Sequence, residues 1–192
     1  MHITVEVSGR HAHLSQKDCD TLFGKGHGLT PLHPISQRGQ YATKETIRLE
    51  TPKGEIARLR IVGPVRTKSQ VELSTTDARV LGIAPHVRLS GSLKGTPGCT
   101  LIGMNGKVVL KEGVIIPRRH IHASPAAAKK AGLRNKALVT VSISGARAVE
   151  FHNVIVRIHP TYRWHCHLDT DEGNAAGLTG KGRGVVVVKS KK

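Results

Sequence analysis

Aromatic residues are almost missing from this chain: two Phe, two Tyr and one Trp among 192 residues. A core must then be built from Val, Ile, Leu and Ala, and the stacking platforms that grip single-stranded nucleic acid are nearly absent. Long apolar runs are missing as well. The longest, Val185–Val188, has four residues, against the roughly 18 that a membrane span needs. The three cysteines, Cys19, Cys99 and Cys166, are odd in number and show no CxxC spacing, which argues against a disulfide framework. Met1–Arg10 alternates like a strand and has neither the apolar stretch nor the cleavage site of a signal peptide. An intracellular protein is expected.

Acidic residues are also few. Thirteen Asp and Glu face thirty Lys and Arg, for a net charge of +17. Such a charge first suggests nucleic acid, whose phosphates attract Lys and Arg. The basic residues are spread along the chain, however, and only the Lys189–Lys192 tail approaches a cluster. A general positive field would equally draw in small polyanions such as coenzyme A and phosphate.

What is present is period-2 alternation. It runs through Ile3–Ser8, Thr46–Glu50, Glu55–Val62, Lys107–Leu110, Val114–Ile116, Leu138–Ile143, Val149–Ile158 and Val185–Lys189, with turn signals such as Pro52-Lys53-Gly54 and Asn105-Gly106 between segments. This is the pattern of small β-barrels or sandwiches. Helices are expected to be few and short, at Ser15–Phe23, Ser74–Leu81, Ser124–Ala131 and Thr170–Ala176.

The segments before these helices repeat. Arg10-His11-Ala12-His13-Leu14-Ser15 and Arg119-His120-Ile121-His122-Ala123-Ser124 share the frame R-H-x-H-x-S. Val71-Glu72-Leu73-Ser74 and His167-Leu168-Asp169-Thr170 precede the other two helices. At each corner a residue able to bind metal stands two positions before a Ser or Asp suited to cap a helix. Repetition on this scale implies duplicated supersecondary units. The expected fold is mainly β, with two small β-barrel domains related by internal duplication and capped by short α-helices. The first would span 10–118 and the second 119–192, the latter completed by the N-terminal strand 1–9. The four corners are expected to converge on one site.

Residues i and i+2 of a strand share a face, so each H-x-H pair can offer two imidazoles to one ion, and histidine suits zinc and similar divalent metals. Glu72 and His167 occupy the matching corners of the other units. Six ligands exceed the needs of one tetrahedral ion but suit two, leaving positions open for substrate.

The chain resembles the phosphotransacylases of the PduL type, the phosphate propanoyltransferases, from about Val5 to about Leu178. The resemblance is carried by Val7-Ser8-Gly9-Arg10-His11-Ala12-His13-Leu14, Gly39-Gln40-Tyr41, Gly63-Pro64-Val65-Arg66 and Gln70-Val71-Glu72-Leu73-Ser74. It continues through Lys111-Glu112-Gly113-Val114-Ile115-Ile116, Arg119-His120-Ile121-His122 and His167-Leu168-Asp169-Thr170-Asp171-Glu172. It implies two β-barrels packed as a homodimer, with the N-terminal strand crossing to the second barrel. It also implies one zinc ion on His11, His13 and Glu72, a second on His120, His122 and His167, and Arg66 as the phosphate-binding residue. The reaction implied is reversible transfer of a short acyl group, acetyl or propanoyl, from coenzyme A to phosphate. Two cations and Arg66 could orient and partly neutralise phosphate for attack on the thioester. Thiolate leaves readily, so direct transfer without an acyl-enzyme is expected.

Lys68 and Arg118 stand beside these motifs and are the candidates for contacting the phosphates of coenzyme A. Cys166 is expected in the core, since its neighbour His167 points to the opposite face. His165 departs from the family pattern, and a spectator role is expected for it. The loop Leu133-Arg134-Asn135-Lys136-Ala137 is basic where related sequences tend to be acidic. The first strand begins almost at Met1, so no amphipathic address for a bacterial microcompartment is seen and a cytoplasmic enzyme is expected. Two other readings compete: a dinuclear metal hydrolase of thioesters or acyl phosphates, and a basic β-barrel that binds nucleic acid with histidines serving structure alone.

Overall fold

The computed structural model describes residues 1–84 and 86–188; the basic tail and Lys189, the end of the last expected strand, lie outside them. The chain begins β1 His2–Ser8, β2 His11–His13, α1 Gln16–Phe23, β3 Pro31–Pro34, β4 Tyr41–Thr51, β5 Gly54–Gly63, β6 Gln70–Glu72, α2 Thr75–Val80 and β7 Val87–Arg88. It continues β8 Cys99–Ile102, β9 Lys107–Leu110, β10 Val114–Pro117, β11 His120–Ala123, α3 Pro125–Lys130, β12 Leu138–Ile143, β13 Val149–Ile158, β14 His165–Asp169, α4 Thr170–Ala175 and β15 Lys181–Val187. Strand content of 46% against 14% helix agrees with the mainly β pattern. No helix among the described residues is long and apolar enough to cross a membrane.

The four helices start where short polar side chains can satisfy their first amides. Ser15, Ser74, Ser124 and Asp169 each accept a hydrogen bond from the backbone N–H three residues on, at Asp18, Asp77, Ala127 and Glu172. In α2 and α4 the acids Asp77 and Glu172 also accept from the cap residue's own N–H, closing a capping box. Pro125 opens α3, where its missing N–H costs nothing.

The chain divides into two compact units: Arg10–Pro117, and Met1–Gly9 together with the chain from Arg118 onward. The second unit is a closed barrel in the order β1-β14-β11-β13-β12-β15, with Val5, Ile121, Val141, Val154, Val156 and Cys166 fully buried inside. The first is a curled half-barrel sheet of nine strands around Leu14, Leu22, Leu49, Leu59, Ile61 and Leu101. Burying each of these Leu and Ile side chains contributes about 1.5–3 kcal/mol, which compensates for the scarcity of aromatics.

The pairing pattern repeats between the units. β2 runs parallel to β5 and antiparallel to β6, as β11 runs parallel to β13 and antiparallel to β14. β6 is then flanked by parallel β10 and β14 by parallel β1. β1 immediately precedes β2, and β10 immediately precedes β11. Each strand leading into an H-x-H strand is thus paired in the other unit, beside the strand that bears the third potential ligand.

Candidate functional site

In the half-barrel unit, β2 and β6 lie antiparallel with His11 opposite Glu72 and His13 opposite Gln70. This register puts His11, His13 and Glu72 on one face as a group able to hold a metal ion, with one donor atom from each inside 4.8 Å of the others. His11 Nε2 lies 3.7 Å from Glu72 Oε2, and His13 Nε2 lies 4.0 Å from Glu72 Oε1. Donors around a tetrahedral zinc ion stand about 3.4 Å apart, given zinc–ligand bonds of about 2.1 Å, so a small inward movement would bring these three to ligand spacing. His13 Nδ1 donates to Val62 O at 2.9 Å, which leaves Nε2 as its lone-pair nitrogen. Burial, the neighbouring His11 and the Arg66 guanidinium hold His13 well below its ordinary pKa, in the neutral form that ligates.

Glu72 has its own support. Gln70 Nε2 donates to Glu72 Oε1 at 2.5 Å and to Ser90 Oγ at 2.7 Å, and the Gln70 carbonyl accepts from Gly91 N. Arg66 Nη1 reaches the same Ser90 Oγ at 3.1 Å. The Arg66 segment is docked on the start of α1 by Arg66 N to Leu14 O, and Ser69 Oγ accepts from Ser15 N while donating to the Asp18 carboxylate. A continuous network therefore links the arginine singled out for phosphate to the carboxylate of the donor triad.

In the barrel unit, His120 stands opposite His167 and His122 opposite His165. His120, His122 and His167 form the other group able to hold a metal ion, again within 4.8 Å. His120 Nδ1 donates to Arg118 O at 2.8 Å, so its Nε2 is the lone-pair nitrogen. Burial, then the rings of His120 and His167, drive the His122 pKa far down. The ring of Tyr162, from the loop before β14, lies 3.8 Å from that of His122, tilted by 32°. No sequence signal marked that contact. A Tyr in a polar loop has no motif, though two of the chain's five aromatics, Tyr162 and Trp164, fall in this loop.

The donor sets chemically fit zinc or a similar divalent ion: five imidazoles and one carboxylate, with the tautomers of His13 and His120 fixed by backbone carbonyls. Of the weaker candidates, Lys68 is exposed and Arg118 half-buried; no interaction involving the Lys68 side chain marks it as a binder. Cys166 is fully buried and burial pushes its thiol up to about 12. Cys99 is buried and raised likewise to about 12. Neither is a nucleophile. Ser15, Ser74 and Ser124 are spent on helix caps.

The motifs extend beyond this chain. The family model for phosphate propanoyltransferase matches residues 4–179. A phosphate propanoyltransferase of Thermotoga maritima is 50% identical over 177 residues, covering 92% of this chain and 84% of that protein. One from Enterococcus faecalis is 46% identical over 95% of this chain and 87% of its own length. One from Salmonella typhimurium is 46% identical over 91% and 83%. With two donor triads, an arginine tied into one of them and matching relatives along nearly its whole length, the chain belongs to the phosphate propanoyltransferase family.

Proposed function

We propose that this protein is a metal-dependent phosphate acyltransferase that moves a short acyl group reversibly between coenzyme A and inorganic phosphate. The observation that carries the reading is the duplicated donor set, His11, His13 and Glu72 in one unit and His120, His122 and His167 in the other, in a chain of this family. One zinc or similar ion per triad would supply Lewis acidity to charge on phosphate and the thioester oxygen. That the two ions serve one reaction is part of the reading and rests on the repeated R-H-x-H-x-S frame.

The chain's own residues supply the rest. Arg66 presents a guanidinium fork that suits phosphate oxygens, and its side chain and backbone are both anchored, so it holds the anion at little entropic cost. A phosphate oxygen attacks the thioester carbonyl, the carbon–oxygen bond forms, and the carbon–sulfur bond breaks with the electron pair leaving on the thiolate of coenzyme A. No acyl-enzyme is required, consistent with the burial of Cys99 and Cys166. Lys68 and Arg118 remain the proposed contacts for the coenzyme's phosphates. The reading includes acetyl or propanoyl as the acyl group and a homodimer, each carried by the family resemblance.

Thiol release from propanoyl-CoA tests it, run with and without phosphate on metal-free and zinc-restored protein. Release that requires both phosphate and metal is expected. Metal-dependent release without phosphate would instead assign a hydrolase. A salt-sensitive gel shift from a protein that binds no metal would assign a nucleic-acid-binding barrel.

A further inference from the structure

The two triads differ electrically. His11 and His13 share their centre with the Glu72 carboxylate, whereas His120, His122 and His167 offer imidazoles alone. A divalent ion among three neutral donors keeps its full charge in a half-buried setting, which is costly unless an anion stands near. The strand that the barrel takes from the start of the chain provides one. Glu6 is directly opposite His167 in the β1–β14 ladder, and its side chain is only 12% exposed. Its Oε2 lies 3.8 Å from His167 Nδ1 and its Oε1 4.0 Å from His165 Nε2, while Lys181 Nζ is 2.9 Å from Oε1. In the other unit the matching position, opposite Glu72 on β10, is the apolar Ile115. A carboxylate thus occupies this position where the third donor is a histidine, and an apolar side chain occupies it where the third donor is itself an acid.

We infer that Glu6 is the positioning residue for His167. Its carboxylate, 3.8 Å from Nδ1, favours the proton on that nitrogen, so that Nε2 is left toward the donors of His120 and His122, and it supplies the negative charge the second triad lacks. Outer carboxylates commonly orient metal-binding histidines in this way. Lys181 holds the other carboxylate oxygen, turning Oε2 to His167. His165 occupies the place that Gln70 fills in the other unit, opposite the second histidine of the pair, and joins this outer cluster through Glu6. The inference rests on the reading that the triads hold divalent ions.

Cobalt(II) binding separates the two. The His11→Ala variant leaves the second triad intact and the His120→Ala variant leaves the first. Glu6→Gln, nearly isosteric, is added to each, and Co²⁺ affinity is measured by chelator competition, with the visible Co²⁺ bands as the spectroscopic readout. Affinity at the second triad is expected to fall about 10- to 100-fold with shifted bands, and affinity at the first to stay unchanged. Glu6→Asp, which keeps the charge, is expected to recover most of the loss. Unchanged affinity in the His11→Ala background, or an Asp variant as impaired as the Gln variant, overturns the inference while leaving the triads as metal sites. A His11→Ala parent that binds no Co²⁺ overturns the underlying reading and the inference with it.

Discussion

Arg119 Nε lies 2.7 Å from Glu172 Oε1, and Arg10 Nη1 lies 2.7 Å from Asp77 Oδ1. Each arginine opens an R-H-x-H frame, and each acid sits in the first turn of the helix that follows the third donor. The pair ties the strand carrying two donors to the corner carrying the third. Burial and the Asp169 carboxylate outweigh Arg119 and push Glu172 up to about 7. Below about pH 4.5 this group adds its full stability, which is lost as pH rises through about 7, because the folded form keeps a proton that the unfolded chain has released. Arg119→Met pushes Glu172 further up. It should therefore cost more stability at pH 8, by about 1–3 kcal/mol, than at pH 5. Urea unfolding of metal-free variant and parent at both pH values checks this, since the histidines common to both cancel; equal losses would refute it.

Replacing His120 and His122 together by Ala should remove one equivalent of bound metal and spare the other, because the first triad lies wholly in the other unit. Activity should fall by about 100- to 1,000-fold, the scale of a lost Lewis acid. Metal analysis with thiol-release kinetics decides; two ions retained at full activity would refute the assignment.

Arg66→Ala should raise the phosphate requirement about 10- to 100-fold, the equivalent of one or two lost charge-assisted hydrogen bonds. The acyl-CoA requirement should change far less. Initial rates with each substrate varied in turn supply the comparison, and equal effects on both would take Arg66 out of the phosphate site.

Gly173 lies inside α4, where Ala ordinarily stabilises by up to about 1 kcal/mol. Here an added Cβ would meet Val7 Cγ2 at 2.5 Å and Val7 Cγ1 at 2.8 Å. Gly173→Ala should therefore destabilise, by about 1–3 kcal/mol, and Val7→Ala should relieve much of that loss. Denaturation of the single and double variants measures the coupling.

The parts legible in the sequence were those set by local rules. Helix starts at Ser15, Ser74, Ser124 and Asp169 follow from capping chemistry, and the shared face of His11 and His13, or of His120 and His122, follows from strand alternation; the assignment of Glu72 to the first pair and His167 to the second came from the family resemblance. What escaped depends on register between distant strands. Glu6 reads as one polar position in an alternating strand until β1 is laid beside β14. Arg10 and Arg119 read as part of a motif, with no hint that their partners are Asp77 and Glu172. The last strand was placed at Val185, but β15 begins at Lys181. Its Gly182 and Gly184 hide the alternation because Leu178 and Val141 fill the space a Cβ would need.

The exchange of β1 and β10 has a consequence for how the protein comes into being. Residues 10–117 form one unbroken stretch whose strands pair among themselves. By contrast, β1 pairs with β14 and β15, more than 150 residues later in the chain. It closes the barrel seam between these two partners. That long-range pairing, of the kind that forms slowly, is also the one that brings Glu6 beside His167.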